Sequence, residues 1–256
     1  MAGQFDGKVI VITGAGSGIG RATACAFADQ DAQVIVADII PESGQETVRL
    51  LREKGKEAFF VRCDISHAEE VEAMIAKAVE TYGHIDYAFN NAGIEGIVSS
   101  IIDYPEEDWN RVINVNLKGP WLCMKYEIPE MLKQGKGAIV NTSAIGGFLG
   151  VPAISAYVAA KHGVIGLTRC VALEYATQGI RVNAICPAIV ETPMVMERTF
   201  ALGTNPEMYR QLAATLPMKR FTRPEEIAAT VLWLCSDAAS YITGHSLMVD
   251  GGMTIQ

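Results

Sequence analysis

The 256-residue chain reads as one doubly wound α/β domain, a parallel sheet of about seven strands with helices on both faces. Three observations predict this. Short β-branched runs alternate with longer helical stretches along the whole chain. The runs, such as Val9-Ile10-Val11-Ile12, are apolar at successive positions, as strands must be when both faces of a sheet are covered. No linker, low-complexity tract or solenoid repeat divides the sequence, and a chain of this size buries roughly three quarters of its unfolded surface without staples.

The first strand, 8–13, is the purest β-branched run and leads through a glycine cluster into a helix at 18–30. Strand 33–38 closes on Asp38, and helix 41–54 opens with Pro41. The run 57–64, with its Phe-Phe-Val centre, predicts a third strand, followed by helix 68–82. Strand 85–90 ends in Asn90, with Asn91 next to it, and a long helical stretch at 105–133 follows. Strand 137–142, helix 153–177, strand 180–185, helix 224–236 and strand 246–249 complete the alternation. The segment 192–217 breaks the rhythm: it is long, carries Met194, Met196 and Met208, and is only patchily helical. A connection of that length in a compact domain is expected to be functional, and a substrate lid is the predicted use.

Composition excludes several classes. Half the residues are hydrophobic, 20% are charged, and the net charge is −8 with no Lys/Arg block, which argues against nucleic-acid and anionic-membrane partners. The first seven residues lack a basic region followed by an apolar stretch, so no signal peptide is expected, and no run approaches the ~18 apolar residues of a membrane span. The six cysteines form no CxxC pair and several lie in apolar surroundings, which predicts small core residues in a reducing, cytoplasmic compartment. The four histidines show no ligand spacing, so no metal is expected.

The glycine cluster carries the first chemistry. Thr13-Gly14-Ala15-Gly16-Ser17-Gly18-Ile19-Gly20 lies between the first strand and its helix. Glycines there let the backbone turn and approach a pyrophosphate, while the helix offers its unpaired N–H groups to that anion. The spacing differs from the common dinucleotide fingerprint, but its position after the first strand, with Asp38 closing the second, strengthens it. A carboxylate at Asp38 accepts the adenosine ribose hydroxyls and repels a 2′-phosphate, so the expected cofactor is NAD. Position 17 is serine and no arginine directly follows Asp38, which leaves no evident group for that phosphate.

A second constellation lies further on. Tyr157 and Lys161, four apart, stack on one helix face. An ammonium about 5 Å from the phenol, at an effective dielectric of ~20, stabilises the phenolate by roughly 3 kcal/mol, or about two pKa units. That shift brings a tyrosine toward the range in which it exchanges a proton with an alcohol. Pro120, four residues after Asn116, cannot donate to the Asn116 carbonyl, so a kink that frees this carbonyl for water near Lys161 is expected.

Taken with Cys63-Asp64-Ile65, Asn90-Asn91-Ala92-Gly93, Val115-Asn116-Leu117, Asn141-Thr142-Ser143 and Val249-Asp250-Gly251-Gly252, these motifs resemble, in order and over essentially the full length, the short-chain dehydrogenase/reductase family. The resemblance implies a Rossmann-type domain and a role for each matching residue. Tyr157 is the general acid/base, and Lys161 lowers its pKa and holds the nicotinamide ribose. Ser143 donates to the reacting oxygen and Asn116 holds a water. Gly14, Ser17, Gly18, Ile19 and Gly20 cradle the pyrophosphate. Asp64 and Ile65 contact adenine, Asn91 lies against the adenosine ribose, and Val190 and Thr192 bracket the nicotinamide amide. Pro187-Ala188 departs from the family's usual Pro-Gly, which limits φ at that position. A homotetramer is implied, with 105–133 and 153–177 in one interface and 241–256 in another.

Met194, Val195, Met196, Phe200 and Leu202, with Phe148 and Leu149 after Ser143, predict an apolar pocket if they line it; alternatively they only pack the lid onto the core. Glu95 is placed to disfavour an anionic substrate. The expected activity is NAD-dependent interconversion of a small, fairly apolar secondary alcohol, possibly cyclic, and its ketone. Two alternatives stand beside it: reduction of a 3-oxoacyl thioester, for which Gly135 and Gln178 replace arginines usual in carrier-protein reductases, and a silent dinucleotide-binding regulator.

Overall fold

A computed structural model describes residues 3–199 and 205–256, so Phe200 and Leu202 lie outside the described residues. Its seven parallel strands form one sheet in the order β3-β2-β1-β4-β5-β6-β7. They are β1 Val9–Thr13, β2 Gln33–Asp38, β3 Ala58–Arg62, β4 Tyr87–Asn90, β5 Gly137–Thr142, β6 Ile180–Pro187 and β7 Ser246–Val249. All five residues of β1 are buried, which explains its unbroken apolar run.

Helices cover both faces. One face carries α1 Gly18–Asp29, α2 Pro41–Glu53 and α8 Pro224–Cys235, packed around Phe5, Phe27, Phe89 and Leu51. The other carries α3 Ala68–Tyr82, α5 Gly119–Gln134 and α6 Ser155–Tyr175, packed around Met74, Leu122, Met124 and Val171. Each fully buried Phe, Leu or Met stabilises the fold by about 1.5–3 kcal/mol relative to exposure. Gly83, with φ of 83°, ends α3 in the left-handed cap that an L-side chain resists.

Successive strands step outward from β1 through β2 to β3, and the chain then crosses back to lay β4 on the other side of β1. The crevice at this reversal, beyond the carboxyl ends of the strands, is where α/β sheets bind ligands. Thr13, Asn90 and Thr142 close β1, β4 and β5 at that edge.

The expected elements are present, with informative differences at their edges. The stretch 105–133 is not one helix: α4 Glu106–Ile113 and α5 are joined by a π-helical turn at Asn114–Lys118. There the Gly119 N–H donates to the Asn114 carbonyl five residues back, and Pro120 follows in the first turn of α5. A proline without an N–H breaks the i−4 ladder, and the widened turn is the local solution. The helix expected from 153 starts two residues later because Ala153 has φ of 67°. The segment after Thr192 is more helical than its sequence suggests, with a π-helical turn Met194–Thr199 and α7 Pro206–Thr215. Val195 and Met196 pack with Ala213, Leu216 and Phe221 in a small cluster separate from the two main cores. No helix among the described residues is long and apolar enough to cross a membrane.

Candidate active site

The glycine-rich turn is held from beneath. Asp38, half-buried at the end of β2, accepts the Gly16 N–H through Oδ2 at 2.8 Å and the Ile40 N–H through Oδ1 at 2.9 Å. A Cβ on Gly16 would stand 2.7 Å from that same Oδ2, so position 16 tolerates only glycine while Asp38 keeps this pose. Arg21 donates to the Gly16 carbonyl, to the Ser43 carbonyl at 3.2 Å and to Thr47 Oγ1 at 2.9 Å. Thr47 Oγ1 in turn donates to the Ala15 carbonyl at 2.9 Å. Arg21 and Thr47 were not legible as site residues, because they hold the turn's shape through partners up to 32 residues away.

This arrangement fits a dinucleotide. Ser17 caps α1 in extended conformation with no side-chain capping bond, and no acid stands in the first turn, so the N–H groups of Gly18, Ile19 and Gly20 face an anion unopposed. Each Asp38 oxygen accepts one backbone N–H and retains lone-pair capacity for a ribose hydroxyl. Gly14 and Gly18 have φ of 65° and 50°, and a Cβ on Gly18 would meet Thr192 Cγ2 at 3.0 Å. Thr192 therefore folds against the start of α1, while Val190, 4% exposed, bridges to Thr222. Ala188 is not among the positive-φ residues, so the alanine in place of glycine is accommodated without strain.

Two expected cofactor contacts have structural duties. Asn91 donates through Nδ2 to the carbonyls of Thr13, at 3.1 Å, and Gly14, at 3.4 Å. Its backbone N–H and that of Ala92 both bond Thr13 Oγ1, at 3.0 and 3.1 Å, which ties the end of β4 to the turn after β1. Asp64 accepts the Ser66 N–H and hydroxyl through Oδ1, at 2.9 and 2.7 Å, and Ile65 beside it is buried against Gly119.

The proton-handling residues converge at the carboxyl end of β5. Tyr157 stands in the first turn of α6, with Lys161 one turn on and its Nζ 5.4 Å from the phenol ring centroid. Lys161 is buried, and its Nζ donates to the Thr142 carbonyl at 2.8 Å. Ser143, also buried, anchors its N–H on the Ile185 carbonyl at 2.9 Å. Its hydroxyl donates to the Lys161 carbonyl at 2.9 Å, so presenting that proton to a substrate oxygen requires the O–H to rotate about the Cβ–Oγ bond. Asn116, in the π-helical turn, exchanges two bonds with Ile94: Oδ1 accepts the N–H at 2.8 Å and Nδ2 donates to the carbonyl at 2.7 Å. A Cβ on Gly93 would lie 3.2 Å from Asn116 Oδ1 and 3.7 Å from Lys161 Nζ, which brings the two functional groups to one point on the backbone.

The electrostatics depart from the expectation drawn from spacing. Burial holds the Lys161 ammonium down to about 8, and burial, aided by the Glu95 charge, pushes the Tyr157 phenol above its usual range. Within the protein alone, loss of hydration dominates both shifts, because a phenolate and an ammonium alike lose solvation on burial. Among the described residues no cluster of three His, Cys, Asp or Glu is arranged to hold a metal.

Comparison with known proteins agrees with this geometry. A family profile described as "Enoyl-(Acyl carrier protein) reductase" matches residues 14–254. A cyclohexanol dehydrogenase of Acinetobacter sp. (strain SE19) is 43% identical over 99% of this chain and 98% of its own. The crystal structure of a levodione reductase superposes with a TM-score of 0.93 at 37% identity, covering 98% of this chain and 99% of that one. An NAD+-bound xylitol dehydrogenase gives 0.92 at 35% identity, covering 97% and 100%. With a full-length match in sequence and fold, and the Tyr157–Lys161 turn in the expected crevice, the chain belongs to the short-chain dehydrogenase/reductase family, oxidoreductases that act on alcohol groups.

Proposed function

We propose that the protein is an NAD-dependent dehydrogenase that interconverts a small, largely apolar cyclic secondary alcohol and its ketone. The observation that carries this reading is the buried Lys161 ammonium one turn from Tyr157 beside Ser143 and Asn116. Similarity to a cyclohexanol dehydrogenase and a levodione reductase supports a cyclic substrate, and Asp38 together with the NAD+-bound relative supports NAD.

Bound along the Gly14–Gly20 turn, NAD+ would supply the hydride acceptor and a positively charged ring. Tyr157 takes the alcohol proton. Lys161, with one of its three N–H donors on Thr142, has two left to hold ribose hydroxyls and to favour the phenolate. Ser143 orients the substrate oxygen once its hydroxyl leaves the Lys161 carbonyl. Asn116 fixes the floor through Ile94, and its carbonyl, four residues before Pro120, holds the water through which the proton leaves. The segment 192–217 serves as a lid over the substrate.

We also place the enzyme in the cytoplasm, in keeping with six unpaired cysteines, and as a homotetramer. Apolar groups exposed on the proposed interfaces support the latter: Trp121 on α5, Leu173 on α6, and Tyr241 and Ile255 near the C-terminal end. Light scattering after gel filtration measures the assembly.

The activity is tested by absorbance at 340 nm with NAD or NADP over a panel of cyclic alcohols, ketones and 3-oxoacyl thioesters. NADH formation from cyclohexanol-type substrates is expected. Turnover confined to thioesters, or NADH binding without turnover of any substrate, overturns the reading.

A further inference from the structure

At the ends of β4 and β5 lies a polar cluster that takes no part in the proton transfer described above. Glu127 on α5 is fully buried, and its Oε2 accepts Asn90 Nδ2 at 3.1 Å. Asn90 Nδ2 also donates to Asn141 Oδ1, at 3.1 Å, across the β4–β5 pairing. Asn141 Nδ2 donates in turn to Thr168 Oγ1 on α6, at 3.0 Å, and to Met124 Sδ at 3.4 Å. Asn90, Asn141 and Thr168 are all buried as well. The cluster thus joins α5, β4, β5 and α6 through side chains alone.

This cluster is short of one proton donor. Among the described residues six buried side-chain oxygens have no partner, and two of them, Glu127 Oε1 and Asn90 Oδ1, belong to side chains already bonded to each other. No Lys, Arg or His among the described residues pairs with Glu127. Cys123, one turn back on α5, is titratable, but burial keeps its thiol neutral. A carboxylate here would give up its hydration for a single hydrogen bond, and burial accordingly pushes the carboxyl up to about 8. A proton on Oε1 makes that oxygen a donor, with Asn90 Oδ1 as its acceptor.

The same side chains adjoin the segments that carry the site. Asn90 leads into Asn91, whose N–H is tied to Thr13 Oγ1 at 3.0 Å. Asn141 precedes Thr142, whose carbonyl holds Lys161 Nζ at 2.8 Å. Thr168 lies about two turns beyond Lys161 on α6, and so on the same side of that helix.

We propose that Glu127 is a positioning residue: as a neutral acid it closes a two-bond pair with the Asn90 amide, and through Asn141 and Thr168 this pair holds Lys161 in place. The effect on turnover rests on the reading above, that Lys161 serves Tyr157 and the nicotinamide ribose. Infrared difference spectra of wild type against Glu127→Gln, taken at pH 7 without substrate, read the protonation directly. A C=O stretch of a protonated carboxyl is expected in the wild type and not in the variant. Its absence, as for a carboxylate bridged to Asn90 by water, overturns the proposal. Glu127→Gln retains a donor and an acceptor for Asn90, whereas Glu127→Met keeps the volume and neither bond. Glu127→Met is expected to lower kcat about tenfold and to raise the NADH dissociation constant about threefold, with Glu127→Gln within about twofold of wild type on both. Equal losses in the two variants, or none in Glu127→Met, overturn the positioning role. Where Glu127→Met does not fold, Thr168→Val breaks the same chain on α6 and is held to the same result. The infrared and NADH-binding measurements need no substrate, so they decide the proposal even if no cyclic alcohol is oxidised and the activity reading fails.

Discussion

Asp38→Asn isolates the charge that sets cofactor preference. The substitution keeps the size of the side chain and one oxygen acceptor, so the Gly16 or the Ile40 N–H keeps its partner, though not both. Loss of one such bond costs about 1 kcal/mol. A 2′-phosphate bound over this carboxylate would lie at about 5 Å, where each pair of unit charges repels by ~3 kcal/mol at an effective dielectric of ~20. Asp38 is half-buried, and screening reduces that by about half. With a phosphate charge between one and two, the net effect is about 2–3 kcal/mol, or roughly 30- to 160-fold. Steady-state kcat/KM for NADP is expected to rise by that factor, while that for NAD falls about tenfold through the lost ribose acceptor. The assay is NADH or NADPH formation at 340 nm with saturating alcohol, each cofactor varied in turn. A change of less than about threefold in the NADP/NAD ratio refutes the assignment of selectivity to this charge.

Two further perturbations follow from buried groups. Glu127 is wholly buried on α5; burial pushes its carboxyl up to about 8 despite a 3.1 Å bond from Asn90 Nδ2, and Glu127 Oε1 and Asn90 Oδ1 both lack partners. A protonated carboxyl brings one donor to these acceptors, so its stabilisation is complete below the unfolded pKa of ~4.5 and declines as pH rises toward 8. Thermal unfolding between pH 6 and 9 is expected to show a loss of about 3 kcal/mol that Glu127→Gln abolishes; equal slopes in the two proteins contradict this. Gly147→Ala places a methyl 2.5 Å from Ser143 Oγ, 2.7 Å from Ile165 Cδ1 and 3.0 Å from the Lys161 carbonyl. It is expected to lower kcat about tenfold or more with little change in NAD affinity, and an unchanged kcat shows that Ser143 does not depend on this packing.

The parts of this molecule that were legible in sequence are those set by local chemistry. Apolar runs such as Val9–Ile12 named the strands, and the 3.6-residue period placed Tyr157 over Lys161 before any contact was known. Pro120 marked the irregular turn at Asn114–Lys118, although not its π form, because a lost N–H is a property of one residue. What depends on distant partners was not legible. The Asn116–Ile94 clamp joins residues 22 apart, and the Ser143 hydroxyl bonds a carbonyl 18 residues on. The burial that raises the Tyr157 phenol in the protein alone was not legible either, since desolvation is set by the whole surrounding core and not by the spacing of the pair. The left-handed Ala153 carries no composition signal, and its carbonyl accepts the N–H of the distant Ser99.

Tyr157→Phe tests the central assignment most directly. The phenol ring and its 5.4 Å packing on Lys161 Nζ are retained, and only the hydroxyl is lost. NAD affinity, measured by quenching of intrinsic fluorescence, is expected to stay within about threefold, while turnover of a cyclic alcohol falls by about 10³-fold or more. Substantial turnover by Tyr157→Phe at unchanged pH would contradict the proton-transfer role of Tyr157 on which the proposed function stands.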